Sequence, residues 1–143
     1  MLEPTGLEER PQTRAIPSNR PDSARWDIFR GEVDDRLLTA LAGAADRYAL
    51  SIAVLSSGHP PNVWASSKPS AHTSGLAADI YAVDGRLVAR QREAGTPAYD
   101  PTRELVSGGA FQVGSPWALP GLGFRSFTDA VHLDHIHLQQ AAR

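Results

Sequence analysis

Apolar residues recur at three- and four-residue intervals between residues 33 and 48, which is the spacing of an amphipathic helix. Asp34 and Asp35 would then lie in its first turn, where carboxylates interact favourably with the helix dipole. We therefore predict a helix over residues 33–48 that buries one face. The pattern is carried by Val33, Leu37, Leu38, Leu41, Ala45 and Tyr48.

A short apolar run at residues 50–55 follows the predicted helix and ends at a polar, glycine-containing segment. This pattern is typical of a buried strand that leads into a loop. Further along, residues 76–83 and 86–89 flank the dipeptide Asp84-Gly85. A two-residue type I′ turn prefers such a dipeptide because both central residues need positive φ. We predict an antiparallel hairpin there.

The last part of the chain contains one more helix and one more strand. Asp100 and Pro101 are suited to the N-cap and first position of a short helix. Residues 114–127, rich in glycine and proline, read as a structured loop before a final strand at about residues 133–138. The element order lacks βαβ regularity, so we predict an α+β fold with a small, mostly antiparallel central sheet flanked by helices.

Residues 1–25 show no apolar periodicity and contain four prolines, which predicts an extended or disordered arm. Residues 26–143 then form a single domain, and the arm could tether it to a larger assembly. We expect neither a signal peptide nor a membrane span, because no apolar stretch is long enough. Localisation stays open between the cytoplasm and delivery to the cell wall by a phage particle or an injection machine.

Composition narrows the possible chemistry. The chain has 143 residues, of which 41% are hydrophobic and 21% are charged, as in an ordinary globular domain. A net charge of -2 provides no electrostatic reason to expect nucleic acid as a partner. The absence of cysteine excludes disulfides, thiolate zinc sites and cysteine nucleophiles, so a metal would have to be held by histidines and carboxylates.

All the histidines fall at the ends of predicted strands or in the loops beside them. His135 and His137 are two residues apart in an extended segment and therefore share a face. Two imidazoles and one carboxylate, with a fourth position left open, are the ligands of a catalytic zinc site. The metal lowers the pKa of its bound water to about 7. The candidate residues are His59, His72, Asp79, His132, His135 and His137.

Two segments together resemble the zinc D-alanyl-D-alanine peptidases, a group that also contains lysostaphin-type endopeptidases and the hedgehog signalling domain. They read Ser70-x-His72-x-x-Gly75-x-Ala77-x-Asp79 and His132-x-Asp134-His135-x-His137. The resemblance implies a hedgehog-like or peptidase-like fold and one zinc ion, Zn²⁺, held by residues matching His72, Asp79 and His137. It further implies that Asp134 is the general base and that His135 assists it or the developing oxyanion. His132 matches a further histidine of the substrate site.

Substrate recognition departs from the family pattern. Members that bind a free C-terminal carboxylate usually have an arginine after the strand that ends here at Ser56, and this chain has His59-Pro60-Pro61 there. Lys68, the sole lysine, could supply the cation, as could Arg125; the alternative for Lys68 is a solvated loop residue.

Three more roles can be assigned near this loop. We expect His59 to line the cleft and Ser70 to hold the second ring nitrogen of His72. Gly75 is expected to take positive φ where the loop carrying His72 turns into the next strand.

These observations predict a zinc metallopeptidase that hydrolyses a D-amino-acid-containing peptide bond in bacterial peptidoglycan. It would be an endolysin-like cell-wall hydrolase acting as a carboxypeptidase or an endopeptidase on a stem peptide or another D-Ala-D-Ala-type peptide. The alternative is a catalytically weak or inactive zinc-stabilised module that serves binding or assembly, as the hedgehog domain does with the same fold.

Overall fold

A computed structural model describes residues 7–9 and 23–143 of the chain. In this part the fold is α+β, as predicted, with three α-helices and a seven-stranded sheet. The helices are α1 (Ser23–Phe29), α2 (Asp35–Ala45) and α3 (Tyr99–Ser107). The strands are β1 (Leu7–Glu9), β2 (Leu50–Val54), β3 (Ala77–Val83), β4 (Arg86–Leu87), β5 (Gln112–Gly114), β6 (Ser126–Phe127) and β7 (Ile136–Gln139).

The sheet is mixed, with antiparallel pairing at its centre. Its strand order is β1-β2-β3-β7-β5-β6, and β4 pairs with the end of β3. The pairs β2-β3, β3-β4, β3-β7 and β5-β7 are antiparallel, whereas β1-β2 and β5-β6 are parallel. The expected antiparallel character is therefore correct for the strands that surround β3, and the parallel pairs lie at the two edges.

One face of the central strands is apolar and packs on the helices. Ile80 of β3 and Leu138 of β7 are fully buried and belong to one cluster with Leu41 of α2 and Leu105 of α3. Burial alternates along β7 and over the middle of β3, since neighbouring residues of a strand point to opposite faces. The other face of β3 and β7 is left for polar side chains.

The helix predicted over residues 33–48 is shorter, because α2 begins after Asp34 and ends at Ala45. Asp34 is its N-cap, and the Asp34 side chain accepts a hydrogen bond of 2.9 Å from the backbone N–H of Arg36. Such a bond satisfies one of the N–H groups that have no partner within the helix. The periodic apolar residues therefore extend one turn beyond the helix that they stabilise.

The predicted N-cap of the last helix is wrong. Ala98 occupies the cap position of α3, and Asp100 and Pro101 lie inside the first turn. A proline fits anywhere in that turn because its missing N–H would have no helical acceptor there. The sequence pattern could therefore not distinguish the first position from the third.

The hairpin around Asp84-Gly85 is confirmed, with φ values of 50° and 74° at its two central residues. Its second strand is only two residues long, because a 3-10 helix begins at the buried Val88. The last strand begins at Ile136, three residues later than predicted, and residues 130–135 form turns before it. The predicted loop at 114–127 ends in a 3-10 helix and β6.

The predicted N-terminal arm is described only in part. Residues 7–9 form β1, which runs parallel to β2 with Leu7 opposite Leu50, and residues 23–25 open α1. Residues 1–6 and 10–22 lie outside the described residues. Among the described helices, none is both long enough and apolar enough to cross a membrane.

Candidate metal centre

The centre of the site is a cross-strand pair on the polar face of the sheet. Asp79 of β3 and His137 of β7 lie directly opposite each other in the antiparallel register. Side chains in such a position have Cβ atoms about 4.5–5.5 Å apart and can touch. Nδ1 of His137 lies 2.9 Å from Oδ1 of Asp79. Two of the predicted metal ligands are therefore brought together by the pairing of the strands.

The third predicted ligand, His72, reaches the same oxygen from a 3-10 helix, Ala71–Ser74. Its side chain is fully buried, and its Nδ1 donates to the carbonyl oxygen of Leu55 at 2.6 Å. A carbonyl can only accept, so the neutral ring carries its lone pair on Nε2. That atom lies 3.2 Å from Oδ1 of Asp79. It has no hydrogen-bond partner among the described residues.

The loop that carries His72 is held in place differently from what was predicted. The hydroxyl of Ser70 accepts from the backbone N–H of His72 at 3.3 Å and caps the 3-10 helix, so it does not hold the ring. Gly75 has a φ of 68°, as predicted, and a Cβ built there would lie 1.9 Å from the backbone oxygen of Glu32. Only glycine fits this close approach of the loop to the chain before α2.

His59 lies against His72 at the edge of the cluster. Its ring stacks on that of His72 with centroids 4.2 Å apart, and its Nδ1 donates to the carbonyl oxygen of Pro60 at 2.6 Å. Ligand atoms of His59, His72 and Asp79 all lie within 4.8 Å of one another, so this group could hold a metal ion. Burial lowers the pKa of His59, which favours the neutral imidazole that a metal requires. The sequence favours His59 as a residue of the cleft wall over a metal ligand.

His135 faces Asp79 from the turn before β7, with a carboxylate behind it. Its Nδ1 lies 2.7 Å from Oδ1 of Asp134, and its Nε2 lies 3.7 Å from Oδ1 of Asp79. Asp134, the predicted general base, is 65% exposed and lies on the far side of the His135 ring from Asp79. Because Asp134 and His135 both precede β7, strand alternation does not separate them. The carboxylate thereby orients the imidazole towards the cluster.

A second histidine–carboxylate pair, Asp129 and His132, lies beside the first. Oδ1 of Asp129 is 2.7 Å from Nδ1 of His132 and also accepts from the backbone N–H groups of Val131 and His132. The ring of His132 has its centroid 5.1 Å from that of His135. Burial lowers the pKa of His132, although the Asp129 carboxylate opposes the shift. Sequence reasoning missed Asp129, whose only signal is an aspartate three residues before a histidine in a turn.

The charge of Asp79 is stabilised by its neighbours. Burial by itself raises the pKa of this carboxyl group, but the contact from His137 is the largest effect in the opposite direction, and the pKa lies well below its usual range. Asp79 is therefore a carboxylate at neutral pH. The ionised form is the one that a cation would bind.

A small exposed hairpin joins two of the site segments. The backbone N–H of Val63 donates to Lys68 at 2.9 Å, and that of Ser70 donates to Pro61 at 2.9 Å. Lys68 is exposed, and it forms no salt bridge within the part of the chain that the structure describes. The guanidinium of Arg125 instead donates to backbone carbonyls of residues 110 and 111. Of the two candidate cations, Lys68 is the one available to a ligand.

Nε2 of His72 and Nδ1 of His137 both approach Oδ1 of Asp79. Tetrahedral ligands at about 2.0–2.2 Å from a zinc ion lie about 3.3–3.6 Å from one another. The 3.2 Å and 2.9 Å distances to Oδ1 of Asp79 are close to this range. The buried Nε2 of His72 is a nitrogen ligand without a hydrogen-bond partner in the described structure. The donor set of imidazole nitrogens and a carboxylate oxygen is one that zinc accepts.

Compared with family models, with curated proteins and with solved structures, the chain matches none. At the centre of its candidate site, Oδ1 of Asp79 lies 3.2 Å from the buried Nε2 of His72.

Proposed function

We propose that the chain binds one zinc ion through His72, Asp79 and His137. The observation that carries this proposal is the position of the buried Nε2 of His72, 3.2 Å from Oδ1 of Asp79 without a hydrogen bond. An imidazole lone pair and a carboxylate oxygen are both acceptors, and placing them together away from water is costly unless a cation lies between them. A zinc ion supplies that cation.

His137 is favoured over His59 as the third ligand. Nδ1 of His137 lies 2.9 Å from the oxygen that Nε2 of His72 also approaches, so both nitrogens contact one carboxylate oxygen. His59 instead stacks face to face on the ring of His72. We assign it to the cleft wall next to the metal, where it is close enough to join the ligands if the coordination number rises.

The proposed reaction is hydrolysis of a peptide bond. Zinc, when bound, would polarise the carbonyl group and lower the pKa of a water molecule. The protein supplies the proton transfers through His135 and Asp134, and we assign the base to His135 instead of Asp134, because Asp134 contacts the ring nitrogen that points away from Asp79. Nε2 of His135, the ring nitrogen that faces Asp79, accepts a proton from the attacking water. The Asp134 carboxylate, 2.7 Å from Nδ1, stabilises the resulting imidazolium. The same pair returns the proton to the leaving amine.

His132 is proposed to bind substrate in the same cleft. Asp129 accepts a hydrogen bond from its Nδ1, which leaves Nε2 to interact with a carbonyl or an amide of the substrate. Lys68, in the exposed hairpin between His59 and Ser70, is proposed to bind the terminal carboxylate of the substrate. The substrate class, a D-amino-acid-containing bond of the peptidoglycan stem peptide, is supported by the resemblance of the two histidine segments to D-alanyl-D-alanine peptidases.

The second candidate is a zinc-stabilised binding or assembly module with the same site. It is favoured by one observation: the chain has His59-Pro60-Pro61 where carboxylate-binding members of the family have an arginine. In this case zinc would stabilise the fold by binding only the folded state. Asp134 and His135 would then take part in no reaction.

Digestion of purified peptidoglycan by the zinc-loaded full chain tests the two candidates. We expect mass spectrometry to show new peptide products that disappear with a chelator and in the Asp134→Asn variant. The cleaved bond and the end-specificity follow from the same masses. A folded protein that holds one equivalent of zinc and releases no product from peptidoglycan, or from peptides ending in D-Ala-D-Ala, would instead support the module.

A further inference from the structure

Asp27 of α1 is a fully buried carboxylate with no role in the site described above. Its Oδ2 accepts hydrogen bonds from the backbone N–H groups of Ser56 and Ser57, at 2.9 Å and 2.8 Å. Its Oδ1 is buried and makes no hydrogen bond within the described residues. The two backbone N–H groups are therefore the polar partners of this side chain among the described residues.

One peptide group links this carboxylate to the metal site. The N–H of Ser56 and the C=O of Leu55 belong to the same amide, and that carbonyl accepts the hydrogen bond from Nδ1 of His72 at 2.6 Å. We propose that Asp27 is a positioning residue for His72. It acts through the Leu55–Ser56 peptide to fix the ring and to strengthen Nε2 as a metal ligand. The inference thus rests on the proposed metal site.

The physical basis is polarisation along the chain of hydrogen bonds. A carboxylate that accepts a hydrogen bond from an amide N–H polarises that amide group. The polarisation increases the negative charge on the carbonyl oxygen of the same group. That oxygen then attracts the Nδ1 proton of His72 more strongly, which raises electron density on Nε2. Metal-binding histidines commonly donate their other N–H to a carboxylate or to a carbonyl. Here the Leu55 carbonyl accepts the hydrogen bond from His72, and the Asp27 carboxylate accepts one from the N–H of the same peptide group.

Asp27→Asn is the variant that separates charge from shape. The amide oxygen can still accept from Ser56 and Ser57, but the negative charge is removed. Asp84→Asn is the control, because Asp84 also accepts a backbone hydrogen bond, from Ala49 at 2.8 Å, at the hairpin end of β3 beyond Asp79. Neither substitution touches the proposed metal ligands.

The first measurement uses metal-free protein and NMR. We expect the Nδ1 proton of His72 to move upfield in Asp27→Asn, as its hydrogen bond weakens, and to stay in place in Asp84→Asn. The second measurement is zinc affinity by competition with a chelating dye. We expect Asp27→Asn to lose about tenfold or more, the range typical of outer partners of metal ligands, and Asp84→Asn to lose nothing.

The outcomes separate this inference from the proposed function. An unchanged His72 proton together with wild-type zinc affinity in Asp27→Asn would overturn the positioning role. A wild-type protein that binds no zinc while the proton still shifts would overturn the metal site and leave the hydrogen-bond chain supported. If Asp27→Asn does not fold, the wild type provides the test. Zinc binding should change the NMR chemical shift of the Ser56 amide proton and not that of the Ala49 amide proton. An unchanged Ser56 shift would refute the proposal.

Discussion

Asp79→Asn is the substitution that tests the metal centre most directly. Oδ1 of Asp79 lies within 3.2 Å of Nε2 of His72 and 2.9 Å of Nδ1 of His137. The asparagine side chain has the same shape but carries no negative charge. Because a neutral amide oxygen is a poor zinc ligand, we expect the variant to fold without binding the ion.

The expected magnitude follows from linkage between binding and folding. Free zinc at about a thousand times its dissociation constant stabilises the folded state by about 4.1 kcal/mol. For a domain of this size, each kcal/mol shifts the melting temperature by about 2–4 °C. The wild type should therefore melt roughly 8–16 °C higher with zinc than with a chelator. Asp79→Asn should show no such difference.

Thermal unfolding with and without zinc, at a fixed free-metal concentration, measures this quantity. Comparing each protein with itself removes any change that the substitution makes in the metal-free state. Asp134→Asn is the control and should keep the full zinc-dependent shift, because Asp134 contacts His135 and none of the proposed ligands. A zinc-dependent shift that survives in Asp79→Asn, or that is lost in Asp134→Asn, would refute the ligand assignment.

Three further predictions address activity and stability. Asp134→Asn should reduce peptide hydrolysis by about a hundredfold or more while keeping zinc, since it weakens the base and leaves the metal; near-normal turnover would show that His135 needs no carboxylate. Lys68→Met should weaken hydrolysis of a peptide with a free terminal carboxylate by about ten- to a hundredfold, corresponding to roughly 1.5–3 kcal/mol, with little effect on the amidated peptide. A wild type that prefers the amidated peptide would contradict that role and indicate an endopeptidase. Asp34→Asn tests pH dependence, because hydrogen bonds from Arg36 hold the pKa of Asp34 well below 3.8. The wild type should therefore be more stable than the variant above about pH 4. It should lose that extra stability as the pH falls and Asp34 becomes protonated. Urea unfolding between pH 7 and pH 2.5 measures the difference, and a constant difference would be incompatible with this ion pair.

The features that the sequence determined by itself are local ones. The core of α2 was predictable because Leu37, Leu41 and Ala45 recur at four-residue intervals, close to the helical period. The turn at Asp84-Gly85 was predictable because few dipeptides accept two positive φ values in succession. The short strands β5 and β6 were not predicted, because two or three residues are too few to show a period of two.

The candidate ligands could be named from the sequence, but their arrangement could not be derived from it. His72 and Asp79 lie in one segment, whereas His137 follows more than fifty residues later. Only the pairing of β3 with β7 places Asp79 opposite His137, and a slip of one residue would turn the histidine to the apolar face. The contacts of Leu55 with His72 and of Asp27 with Ser56 also join residues that are distant in the chain. Periodicity reports only which face of an element is apolar, whereas a metal site depends on which atoms of different elements meet. That is decided when the whole core packs.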